Sequence, residues 1–204
     1  IMGKTWIVTV VFIGLVFAQE SGETQEFKYI GSNGCKACHS GSKKGAQYKI
    51  WAKGVHAKAF ETLKTDKAAK IAKEKGLKVP AYEAPECIVC HTTGYGQGGY
   101  EVKDEKFWNP ADDDKAGKKA VKRMKGLQAV GCEACHGPGS EYKKKKVMDA
   151  VFSGTVKAES VGLWNPTEDI CKICHNEKSP SFKPLDFKER VKKIAHPYPP
   201  DMKK

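Results

Sequence analysis

The chain has 204 residues, with 36 lysines and arginines against 24 aspartates and glutamates, a formal charge of +12. A mean hydropathy of −0.55 is too polar for a chain of membrane spans or one built around a large peptide core. The charge would suit nucleic acid, but no nucleic-acid-binding motif accompanies it, and that class of partner is excluded.

The chain opens with Lys4, an apolar run over 6–17, and Val16-Phe17-Ala18, the pattern of a secretory signal peptide with its cleavage site. The run is shorter than the about 20 residues of an ordinary membrane span. Residues 1–18 are therefore expected to be removed, leaving 19–204 as one exported domain, periplasmic or extracellular. Residues 19–26 are polar. Cys35-Lys36-Ala37-Cys38-His39 follows. Beyond it, Tyr48, Trp51, Val55, Ala59 and Leu63 recur at helical spacing, with His56 beside the stripe. A second helix is expected over 66–75, ended by Gly76. Cys87-Ile88-Val89-Cys90-His91 comes next, then a glycine-rich loop over 92–100 whose lone Gly-x-Gly is no nucleotide site.

A basic helix is expected over 114–125, ended by Gly126. After Cys132-Glu133-Ala134-Cys135-His136, Gly137-Pro138-Gly139 turns the chain, and Ser140 can cap a helix through Phe152. Asn165 and Pro166 suit the start of a helix over 167–175 that carries Cys171-Lys172-Ile173-Cys174-His175. A last helix over 186–195 leads to His196 and is stopped by Pro197, Pro199 and Pro200.

One pentapeptide, Cys-x-x-Cys-His, thus occurs four times and uses all eight cysteines. It is the attachment pattern of c-type haem. The spacing places two sulfurs on one side of a helical turn, and the next residue, His, lies under the iron as its proximal ligand. A disulfide framework or four-cysteine zinc sites would use the cysteines but leave a histidine after every pair unexplained. The reading is four covalently bound haem c groups. Cys35 and Cys38, Cys87 and Cys90, Cys132 and Cys135, and Cys171 and Cys174 form the thioethers; His39, His91, His136 and His175 are proximal. With about 46 residues per haem in the expected mature chain, four separate domains do not fit. The expected fold is mainly α with long loops and little or no sheet, its core a stack of haems. Eight propionates would offset much of the basic charge. First cysteines fall 52, 45 and 39 residues apart, which is no solenoid period.

Six histidines set a limit on axial ligation. Four are proximal, so only His56 and His196 remain, and at most two haems can be bis-histidine. Association of identical chains leaves that ratio unchanged. Met148, on the helix after Gly-Pro-Gly, is a candidate thioether ligand, with Lys146 a second candidate. Met124 and Met202 read as packing or surface residues.

The sequence resembles the tetrahaem cytochrome c-554 family, whose best-known member accepts electrons from hydroxylamine oxidoreductase. The resemblance rests on Val55-His56-Ala57-Lys58-Ala59, on Cys90-His91 followed by Gly94-Tyr95-Gly96-Gln97, on the stretch from Val130 to Gly139, and on the closing helix to His196. It implies a compact helical fold with stacked and near-perpendicular haem pairs. It also implies crossed ligation: His56 to the haem of His175, His196 to that of His136, and a five-coordinate haem at His91. The haem of His39 would take a histidine after Gly-Pro-Gly, but Tyr142 to Val147 contains none. The leading function is electron transfer between redox proteins, such as an oxidoreductase or a quinol-linked complex. Two other readings stay open: a subunit of an extracellular cytochrome filament, and a reductase of nitric oxide or hydroxylamine at an open haem.

Overall fold

The computed structural model describes residues 26–196. The expected signal segment, Met202 and the closing prolines lie outside them. Eleven α-helices follow one another with no strand among the described residues: α1 Asn33–His39, α2 Gln47–Lys53, α3 Ala59–Thr62, α4 Asp66–Glu74, α5 Pro85–His91, α6 Glu105–Trp108, α7 Lys115–Leu127, α8 Cys132–His136, α9 Lys145–Phe152, α10 Glu168–Lys172 and α11 Phe187–Ile194. None of them is long and apolar enough to cross a membrane.

Side-chain caps begin four of these helices. Thr65 accepts from Ala68 N, Asp104 from Phe107 N, Asp114 from Gly117 N and Asp186 from Glu189 N, each satisfying a main-chain donor that the first turn leaves over. Gly76 follows α4 at φ +69°, as its place in the sequence predicts. The expected helix start at Ser140 is not realised. Ser140 Oγ instead accepts from Lys28 N, Ser140 N donates to Lys28 O, and α9 begins five residues later.

Two further expectations are corrected. The stripe from Tyr48 to Leu63 is not one helix. Gly54 is extended (φ −78°, ψ 167°) and separates α2 from a 3-10 turn at His56–Lys58 and then α3. Val55 is 77% exposed, so spacing alone misassigned it to a buried face. Gly126 does not end α7 but lies inside it, buried. A Cβ there would come within 3.2 Å of Gly31 Cα, so it is a close-approach glycine rather than a cap.

A small peptide core accompanies the cofactor sites. Phe60 and Leu63 from α3 and its end, Ala72 from α4, Ile88 from α5, and Met124 and Leu127 from α7 meet Tyr29, Ala81 and Tyr100 from the connecting segments. The Phe60 and Tyr100 rings lie 5.5 Å apart. Met124 fills this core, and its Sδ accepts from Glu101 N. Arg123 on α7 ties two connections to it: Nε donates to Tyr29 O at 2.7 Å and Nη2 to Gly98 O at 2.6 Å.

Candidate haem sites

The four pentapeptides occupy short helical turns. In α1, α5 and α8 the helix ends on the histidine. In the fourth, α10 ends at Lys172, yet His175 N still donates to Cys171 O at 2.9 Å, which continues the turn. Cysteines three apart and a histidine four after the first therefore share one face in every copy. All eight thiols are free of disulfides. No group of three or more His, Cys, Asp or Glu among the described residues is set to hold a metal ion unaided, as a zinc site would need.

Three of the four histidines are oriented by their second nitrogen. Nδ1 faces Ala59 O at 2.6 Å in His91, Trp164 O at 3.3 Å in His136 and Gln47 Oε1 at 3.3 Å in His39. A carbonyl oxygen only accepts, so Nδ1 carries the proton and Nε2 keeps its lone pair. That is the tautomer and orientation an iron ligand needs.

The two remaining histidines each meet a motif histidine. The rings of His56 and His175 are centred 6.0 Å apart, and those of His136 and His196 5.9 Å. Two imidazoles on opposite faces of one metal, each bonded at about 2 Å, have centres about 6 Å apart. The residues thus fit the group. His56 is held by its main chain, since Val130 N donates to His56 O at 3.1 Å and Trp51 Nε1 donates to Val130 O at 2.9 Å. Burial, then the neighbouring His175 charge, holds His56 below the usual imidazole range; burial, then His136 and His39, does the same to His196. Burial is also the leading cause for His136, opposed by the Trp164 carbonyl. All three favour the neutral form that binds metal.

The thiols reveal how the motifs adjoin. The Cys35 and Cys132 thiols lie near enough to shift each other's ionisation, and so do those of Cys90 and Cys174. As free thiols they are unequal: the neighbouring Cys174 and the charge of Lys178 bring Cys90 down to about 7, while burial pushes Cys135 up to about 11. Thioether formation removes these protons altogether. The first motif therefore abuts the third, and the second abuts the fourth.

Met148 is half-buried on α9, one turn beyond Lys145, which pairs with Asp149 on the same helix. Lys146 is exposed. Sequence reasoning passed over Glu133, which is 1% exposed. Its only signal was an acid between two cysteines.

Four attachment turns with oriented and paired imidazoles define a c-type cytochrome carrying four haem c groups. Residues 34–112 match the family described as cytochrome c554 and c-prime. The chain is 31% identical over 185 residues to cytochrome c-554 of Nitrosomonas europaea, covering 84% of this chain and 68% of that one. The solved reduced state of cytochrome c554 from the same organism matches with a TM-score of 0.51 at 24% identity, covering 83% of this chain and 79% of the other; this likeness concerns the fold. The chain belongs to the cytochrome c554 family and is an electron-carrying c-type cytochrome.

Proposed function

We propose that residues 19–204 form one exported unit, periplasmic or extracellular, that passes electrons between redox proteins through adjoining haems. The observation that carries this reading is the two imidazole pairs at 6.0 and 5.9 Å, together with the contact of the first motif with the third and of the second with the fourth. Bound haem supplies one-electron exchange. The eight cysteines would fix its position, and His39, His91, His136 and His175 would each hold one iron. His56 would join His175 as a ligand at the fourth site, and His196 would join His136 at the third. At the first site Met148 would replace the missing histidine, and a thioether there would raise the potential relative to bis-histidine ligation. At the second site His91, its Nδ1 anchored on Ala59, would hold the iron with no second protein ligand. The donor or acceptor is a redox protein, an oxidoreductase or a quinol-linked complex, met through a small transient interface.

The experiment is stoichiometric reduction followed by mixing with an acceptor cytochrome. Four electron equivalents should enter and leave again, while turnover of nitric oxide and hydroxylamine stays at background. Steady turnover of either molecule would replace the carrier reading with that of a reductase.

A further inference from the structure

The first position between the paired cysteines holds Lys36, Ile88, Glu133 and Lys172 in the four motifs. Both lysines are exposed, whereas Ile88 and Glu133 are equally buried, at 0% and 1% exposure. The second motif shows that an apolar side chain satisfies a buried place there. A carboxylate in the same place is far more costly unless it is fully bonded.

Glu133 is fully bonded, and only to donors. Oε1 accepts from Ile30 N at 2.8 Å and from Gly139 N at 2.7 Å; Oε2 accepts from Gly31 N at 2.7 Å. Burial pushes the Glu133 carboxyl above the ordinary carboxylate range; the three N–H groups aimed at its two oxygens, and Arg123 from a distance, oppose that and favour the ionised form. Yet Arg123 donates to Tyr29 O and Gly98 O, and no ion pair to Glu133 forms among the described residues. A buried carboxylate without a direct cationic partner therefore lies beside Cys132, whose thiol is near enough to that of Cys35 in the first motif for each to shift the other. Tyr29 and Tyr142, the other titratable groups against it, both feel that charge.

We propose that Glu133 is a built-in negative charge that lowers the reduction potentials of the first and third haems, stabilising their ferric state, while leaving the second and fourth largely unaffected. Fixed charge and hydrogen bonding around a buried redox centre are among the protein's means of tuning it. The proposal rests on the haem reading of the first and third motifs. That reading is checked separately by the haem count and spectrum of the unaltered protein.

The test is a potentiometric titration of the four-haem Glu133→Gln protein, followed by optical and electron paramagnetic resonance spectra that separate the haems. Glutamine keeps the shape and removes the charge. Two of the four midpoints should move positive. A unit charge acting over about 10 Å at an effective dielectric near 20 changes the ferrous-to-ferric ratio on the order of tenfold. Glu133→Asp, which keeps the charge, should stay close to the original midpoints. Four unmoved midpoints, four that move together, or an aspartate variant displaced as far as glutamine would each overturn the proposal. Should Glu133→Gln fail to mature with four haems, Arg123→Met decides: the same two midpoints should move negative, and no movement or a positive one overturns it.

Discussion

From Phe60 to Tyr142 the chain packs largely on itself; from Lys143 to His196 the only buried residue is Gly162. Helix α7 buries Val121, Met124, Gly126 and Leu127, whereas α9, α10 and α11 bury nothing. Phe152, Trp164, Ile173 and Ile194 stay exposed to 40%, 39%, 64% and 38%. Yet this last stretch supplies Cys171, Cys174, His175, His196 and Met148. The first region owes its order to side-chain burial. On the proposed ligation the second would be fastened by thioethers and axial ligands, so cofactor attachment would be folding free energy there, as metal binding is in small metallodomains.

Removing one fastening should separate the two regions most. Cys171→Ser combined with Cys174→Ser is expected to mature one haem short by mass. Amide exchange over 168–196 should become fast, while α4, α5 and α7 stay protected. Equal loss of protection in both regions would break the distinction.

Core truncation sharpens it from the other side. Leu127 is 0% exposed, and Leu127→Ala should cost about 3 kcal/mol in denaturant unfolding of the holoprotein. Ile194→Ala, on the exposed helix α11, should cost less than about 1 kcal/mol. Glycines give a smaller contrast. Gly31 has φ +83°, and a Cβ there would lie 2.8 Å from Arg123 O. Gly154 has φ +76° with nothing within 4 Å. Gly31→Ala should cost about 2 kcal/mol or more and Gly154→Ala about 1 kcal/mol, since the first adds a backbone clash to conformational strain.

The smallest expected effect is acid sensitivity. His56 and His196 are held below the ordinary value of 6.5. The unfolded chain then binds more protons than the fold as pH drops. Their contribution is complete above pH 6.5 and is lost as pH falls through the lower folded values. Stability from these two groups should be flat from pH 8 to about 6.5 and then decline. A gain in stability on acidification over that lower range, abolished by His56→Ala, would contradict the sign.

The helical class, the attachment motifs and the helix starts near 114 and 186 were legible in the sequence because they depend on neighbours a few residues apart. The two imidazole pairings came from the family resemblance: His56 and His175 are too far apart in sequence for spacing to connect them. What stayed hidden depended on distant contacts. Gly126 read as a helix stop because its approach to Gly31 is not visible in a linear pattern. Ser140 read as a cap because its partner, Lys28, lies 112 residues away. The stripe through Val55 survived on periodicity until Gly54 broke it. Glu133 drew no reading of its own, since two of its three donors, Ile30 and Gly31, lie 103 and 102 residues earlier.

We propose that six histidines are shared among four irons as two bis-histidine pairs, one thioether-ligated site and one open site. Low-temperature electron paramagnetic resonance of the fully oxidised protein, calibrated to four haems, tests it directly. Low-spin bis-histidine signals are expected together with at least one high-spin ferric haem. Four low-spin haems would contradict it.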